Sequence, residues 1–332
     1  MGGSAFNRDT HGFTTTRMTP KQYSSLISLI LPLLQLYFRR VSIPPSMPGK
    51  STYGDLDIFV SSPLDLRPHD AILQLCSRSL GKKCKKIIYN LPTTNIAVQT
   101  DEGIWQVDIH LVEREDLWDL DFWMHSFGDV GMIVSSTVKA WGFRLSASRG
   151  LYIDIPVHGP FILSYDVQRV IDFLGLNWER YIAGFDTVEA IFDWIAEVKI
   201  NNERIGIKSL GKLERKEHGN RSMWVNYWSR GILDEEYAPC EEEKKRAQQA
   251  ALDYFGKKRE YEAILGKLEK ERLLKEKFNG NKVKEWTGAE GRRLGVLMRR
   301  LKEDGRVGLE KVAGMSEEEI KGVVMEVWRR LD

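Results

Sequence analysis

A chain of 332 residues can bury one large core or two smaller ones. Its 49 Lys and Arg against 47 Asp and Glu leave a formal charge of only +2, so any surface that attracts a polyanion must be local. Three cysteines, Cys76, Cys84 and Cys240, without metal-ligand spacing exclude a disulfide framework or a zinc site and fit an intracellular location, cytoplasmic or nuclear.

Residues 1–18 are polar, hold no apolar core of a signal peptide, and are expected to be disordered. Thr19-Pro20 then opens a helix, a capping hydroxyl followed by proline in the first turn. Leu26, Ile27, Ile30, Leu33, Leu34 and Tyr37 give it an apolar face, and Pro32 is expected to kink it. The apolar run 26–36 is too short and too interrupted to span a bilayer, so no membrane partner is expected. Arg39 and Arg40 lead through a short strand at 41–43 into a loop of Pro45, Ser46, Pro48, Gly49, Lys50, Ser51 and Gly54. Free backbone N–H groups, hydroxyls and one ammonium make that loop a phosphate cradle by composition.

The strand that follows reads D-L-D-I-F-V. Alternation puts Asp55 and Asp57 on one face and Leu56, Ile58 and Val60 on the other. Two adjacent carboxylates repel unless positive charge sits between them, and a hard divalent cation that prefers oxygen ligands meets that need. D-x-D is common at solvated strand ends, so the weight falls on the loop before it, the apolar run after it and a third carboxylate. After a helix over 67–79, the basic turn G-K-K-C-K-K and a strand at 87–89, Asp108 lies in the alternating strand 104–112. That strand is expected to pair with 95–100 across the turn Asp101-Glu102-Gly103. The order helix, strand, helix and three strands predicts an α+β arrangement, a small mixed sheet with helices packed on one face.

A serine loop, then G-D-h-D-h-h with h apolar, then a lone Asp on a later strand resembles the signature of the nucleotidyltransferase-fold superfamily, which holds DNA polymerase beta, poly(A) polymerases and CCA-adding enzymes. Residues 19–195 also resemble nucleotidyltransferase-like proteins of fungi and large viruses. The resemblance implies that Asp55, Asp57 and Asp108 bind Mg²⁺ (or Mn²⁺), and that Ser46, Gly49 and Lys50 cradle the phosphates of an NTP. It further implies that Ser135, Ser136 and Lys139, on the helix after the third carboxylate, meet the triphosphate. The expected reaction moves an NMP to an acceptor hydroxyl, an RNA 3′ end, a protein side chain or a small molecule, and releases pyrophosphate. Pro45 stands where the family has glycine. The alternative is a catalytically degenerate fold that serves as a nucleotide- or RNA-binding or protein-interaction module.

Ser126 and Asp129 are placed to cap that helix. A strand at 150–155 closes the catalytic domain, 19–155, and a helical base- or acceptor-gripping unit, 156–200, is expected next. Its Trp178, Tyr181, Phe185, Phe192 and Trp194 read better as core than as a base platform. The charged region 201–332 is expected to be mainly helical. It contains an aromatic island of Met223, Trp224, Tyr227 and Trp228, and one long helix over 241–277. Leu294, Leu297, Met298 and Leu301 form an apolar stripe with Arg292, Arg293, Arg299 and Arg300 off it, the best local case for nucleic acid, with Trp286 nearby to stack on bases. Ser316 and Glu319 form a capping box for the last helix.

Overall fold

The computed structural model describes residues 3, 5–6, 12–200, 203–204, 223, 226–227, 239–307, 309–312 and 314–331. The charged run 213–222, Trp224 and Trp228 lie outside the described residues. The chain divides into two compact units, Met1–Phe255 and Gly256–Asp332, so the boundaries expected near 155 and 200 both fall inside the first.

In the first unit, helix α1 (Pro20–Gln35) begins at Thr19 with the full capping box, Thr19 and Gln22 each accepting from the other's backbone N–H, and it continues through Pro32. A five-stranded sheet follows, built from β1 (Phe38–Ser42), β2 (Asp55–Pro63), β3 (Cys84–Asn90), β4 (Thr93–Thr100) and β5 (Gly103–Leu111). Its spatial order is β1-β2-β5-β4-β3. Only β2 and β5 run parallel; the other three neighbours are antiparallel, so the sheet is mixed and the architecture α+β. The crossover from β2 to β5 carries α2 (Pro68–Gln74), which runs on as a wider π turn over Leu75–Leu80.

The period of two decides which face is which. Leu56, Ile58 and Val60 of β2 join Val107 and Ile109 of β5, Ile96 and Val98 of β4, and Leu26, Ile30 and Leu34 of α1 in one buried cluster. Each such side chain withdrawn from water contributes roughly 1.5–3 kcal/mol, and a slip of one residue would drive Asp55 and Asp57 into that core. The opposite face is polar where Asp55 and Asp57 of β2 lie beside Gln106 and Asp108 of β5. Further along it is closed by a small cluster of Phe59, Val112, Trp118 and Phe122, the last two from a helix the sequence did not announce, α3 (Trp118–Met124).

The N-terminal expectation departs from the structure at the described residues. Phe6 and Met18 are fully buried. Met18 bridges to Tyr53 through backbone bonds of 2.7 and 2.8 Å, and Thr16 N–H donates to Ile104 O at 3.1 Å. Two apolar side chains in a polar stretch are enough to seat it. Ser126 is also not a cap: its hydroxyl donates back to Phe122 O at the end of α3. Phe127 and Gly128, both at positive φ, break the chain before α4 (Val130–Lys139). A second, antiparallel sheet follows, β6 (Phe143–Ser146), β7 (Gly150–Ile155) and β8 (Gly159–Ser164), and then α5 (Val167–Phe173), α6 (Trp178–Ala183) and α7 (Val188–Ile195). Tyr181, Phe192 and Trp194 are buried among these helices, as the core reading required.

The long helix expected over 241–277 is two, α8 (Glu241–Phe255) and α9 (Lys258–Lys277). The break falls at Gly256, whose φ of +68° is a left-handed conformation that glycine alone adopts without cost. In the second unit α10 (Gly280–Thr287), α11 (Gly291–Asp304), α12 (Leu309–Val312) and α13 (Glu317–Arg329) follow α9. Leu297, Leu301, Ile320, Val324 and Val327 form its core, and Ser316 with Glu319 makes the anticipated capping box. Among the described residues no helix is long and apolar enough to cross a membrane.

Candidate metal centre

The parallel pairing of β2 and β5 builds the site. Asp57 stands in register with Asp108, and Asp55 with Gln106, so three carboxylates from segments fifty residues apart share one patch, at the start of β2 and past the middle of β5. One oxygen from each of Asp55, Asp57 and Asp108 lies within 4.8 Å of the others. Two amides hold Asp108 in place. Asn95 Nδ2, across the β4–β5 ladder, donates to Oδ1 at 2.7 Å, and Gln106 Nε2 donates to both oxygens at 2.9 Å.

Crowding sets the electrostatics. Protein packed around Asp57 leaves its carboxylate poorly solvated even though it opens onto a cavity, and the charges of Asp55 and Asp108 add to this, so its pKa is pushed up to about 7. Asp108 rises to about 6, chiefly through burial and then the charge of Asp55, against the pull of the Asn95 and Gln106 hydrogen bonds. The mutual repulsion of the carboxylates, one cause of these shifts, is also relieved by a divalent cation between them. The donor set is three hard carboxylate oxygens with no thiolate, which fits Mg²⁺ or Mn²⁺.

Beside the triad lies a histidine pair on one carboxylate. His110 Nε2 is 3.0 Å from Asp121 Oδ2, and His125 Nδ1 lies 2.9 Å from Asp121 O and 3.2 Å from its Oδ1. Burial works against charge on both sides of this network, but the bonds outweigh it. Asp121 is held down to about 2 and His125 above the ordinary histidine range. Phe59 packs against both rings, with centroids 4.5 and 5.1 Å away.

A cavity of about 170 Å³ opens over Asp55 and Asp57, walled by Ser46, Lys50, Tyr23 and His125. Tyr23 on α1 lines the cavity beside Ser46 and stacks on Tyr53 at 3.9 Å, and Lys50 Nζ sits 4.7 Å over the Tyr53 ring. The loop is pinned from the far side by Phe127 N–H, which donates to Pro45 O at 2.6 Å. The structure therefore brings Ser46 and Lys50 to the carboxylates. Gly49 is exposed at the loop's bend, with φ +71°, and is not among the cavity's lining residues. Ser135, Ser136 and Lys139 do not reach it either: the Ser135 hydroxyl donates to Leu145 O at 2.7 Å, Ser136 is buried, and Lys139 is exposed at the far end of α4.

Sequence reading passed over Tyr23 and Gln106. The signal for Gln106 was its position two before Asp108 on the same strand face. In the second unit Arg292, Arg293, Arg299 and Arg300 are all exposed. Arg292 and Arg293 border a cavity of about 280 Å³ with Val296, Trp328 and Leu331, and the Arg293 guanidinium lies 5.2 Å from the Trp328 ring. Trp286 and Trp328 both pack, partly buried, against the unit's own core. No family model matches the sequence, and no curated protein is similar to it at a significant level.

Proposed function

We propose that the protein is a Mg²⁺-dependent nucleotidyltransferase that transfers an NMP from an NTP to an acceptor hydroxyl. The observation that supports this best is the convergence of Asp55, Asp57 and Asp108, with one oxygen each inside 4.8 Å, the first two lining a cavity that also holds a lysine. Asp55, Asp57 and Asp108 are the residues that would hold the cation. When bound, a divalent ion in such a site supplies Lewis-acid stabilisation of phosphate oxygens and lowers the pKa of a hydroxyl nucleophile.

The chain's own residues supply the rest. Lys50, beside Asp57 in the cavity, offers a point charge to the β and γ phosphates, and Ser46 offers a hydroxyl. Asn95 and Gln106 keep Asp108 oriented. A new bond forms between the acceptor oxygen and the α-phosphorus, and the bond to the departing pyrophosphate breaks. The exposed cations of Arg292 and Arg293 favour an RNA 3′ end as acceptor, because phosphate neutralisation is what a single strand needs.

The test is incubation of the full chain with each α-labelled NTP, Mg²⁺ or Mn²⁺ and bulk RNA, with pyrophosphate release read in parallel. Labelled RNA formed by the wild type, and lost by at least a factor of a hundred in Asp57→Ala, is the expected result. Equal labelling by both proteins refutes the assignment.

A further inference from the structure

The described part of the N-terminus does more than cover the sheet. Gly3 N–H donates to Asp55 Oδ2 at 2.7 Å. Two residues on, Ala5 N–H donates to Gln106 Oε1 at 3.0 Å, and the same Gln106 amide turns its Nε2 to both oxygens of Asp108. Gln106 is only 3% exposed, so its amide has no water to fall back on and its orientation is set by these partners. One short segment thus reaches two of the three carboxylates, Asp55 directly and Asp108 through one side chain.

The segment is fitted to that position. Gly3 has a φ of +83°, and a Cβ there would come within 2.1 Å of Gly54 O, the residue that precedes Asp55, so glycine is required twice over. Thr15 Oγ1 donates to Gly3 O at 3.1 Å. Phe6 is fully buried with its ring 5.9 Å from Phe13. Arg17 ties the following stretch to the site loop through Thr52 Oγ1 and O, at 2.9 and 3.0 Å.

We propose that Gly3, Ala5 and Phe6 form a positioning strap that fixes Asp55, and through Gln106 fixes Asp108, in the arrangement that takes up a divalent cation. The proposal rests on the metal-centre reading. The residues touch no reacting atom; they act on the ligands, as hydrogen-bonding partners of metal ligands commonly do, where their loss weakens metal binding roughly ten- to hundred-fold.

The experiment is a Mn²⁺ titration of the full chain at pH 8, followed by the loss of the free-ion EPR signal. Wild type, Asp57→Asn, Gly3→Ala and Gln106→Met are compared, each checked for native circular dichroism. Uptake by the wild type that is absent in Asp57→Asn, and at least ten-fold weaker in Gly3→Ala and Gln106→Met, is expected. Gln106→Met adds no atoms against Gly54, so it decides the matter if Gly3→Ala does not fold. Wild-type affinity in Gln106→Met overturns the strap while leaving the metal centre standing. Wild-type affinity in Asp57→Asn removes the metal centre, and the strap with it.

Discussion

Asp57→Asn should make the metal-free protein more stable and blind to Mg²⁺. Above pH 8 the triad carries three negative charges with oxygens within 4.8 Å of each other. Each pair then costs about 0.9 kcal/mol at the dielectric of water, and several times that where solvent is excluded. Asp57 faces both of the others but is exposed where it lines the cavity, and it is attracted by Lys50 and His125. Screening and those attractions keep the net relief near the lower end, about 1–2 kcal/mol. For a unit of this size each kcal/mol moves the melting temperature by about 2–4 °C. Differential scanning calorimetry in EDTA should therefore show the variant melting roughly 2–8 °C higher. Addition of 10 mM Mg²⁺, a concentration chosen at about millimolar to exceed typical site affinities, should raise the wild type and leave the variant unmoved. A variant that melts lower in EDTA, or gains from Mg²⁺ as the wild type does, would refute the repulsion argument.

The pH dependence follows from the same groups. Asp57 at about 7 and Asp108 at about 6 both bind protons more tightly folded than unfolded. Their contribution to metal-free stability is therefore complete below about pH 4 and is lost as pH rises through 6 to 7. Thermal melts in EDTA should fall across pH 5 to 8 more steeply for wild type than for an Asp57→Asn, Asp108→Asn double variant, while Mg²⁺ affinity by calorimetry rises across the same window as protons leave the ligands. Asp121→Asn removes the carboxylate charge beside His125 and leaves it the bond to the Asp121 backbone carbonyl, so the pKa of His125 should fall; an imidazole proton titration by NMR reads this directly, and an unchanged pKa would sink the network. Leu297→Ala empties a fully buried site in the second unit and should cost it about 2–4 kcal/mol, seen as faster amide exchange over 280–331. Arg292→Glu with Arg293→Glu should flatten the salt dependence of single-stranded RNA binding, by about 0.7 in the log–log slope for each phosphate no longer neutralised; an unaltered slope removes these arginines from any RNA surface.

Where one strand's alternation carried the information, the sequence was enough. D-L-D-I-F-V and I-W-Q-V-D-I-H-L each declare an acidic and an apolar face, and the turn Asp101-Glu102-Gly103 fixes the hairpin, so β2, β4, β5 and the face of every triad residue could be read in advance. Adjacency of β2 and β5 could not, because a parallel pair is set by the crossover packing of α2 and not by any local turn; the family resemblance supplied that expectation. Ser135, Ser136 and Lys139 went astray through the start of α4. Asp129 and Ser126 look like a cap, but Phe127 and Gly128 take positive φ, α3 takes the first turn, and the helix that follows gives its hydroxyls to β6 and the interior. No period marks Gly3 or Ala5, whose roles depend on residues fifty and a hundred positions away.

The fold also explains why a carboxylate cluster so unfavourable by itself persists. Asp55, Asp57 and Asp108 cannot turn away, because the residues between and beside them, Leu56, Ile58, Val107 and Ile109, are locked in the core by the same alternation that exposes the acids. Rotating β2 to separate its acids from Asp108 would bring Leu56, Ile58 and Val60 into water at roughly 1.5–3 kcal/mol each. That exceeds the mutual repulsion of the three carboxylates at the dielectric of water. Burial of one face of the sheet therefore forces the charge onto the other, and the helices, amides and loop around it determine only how firmly it is aimed.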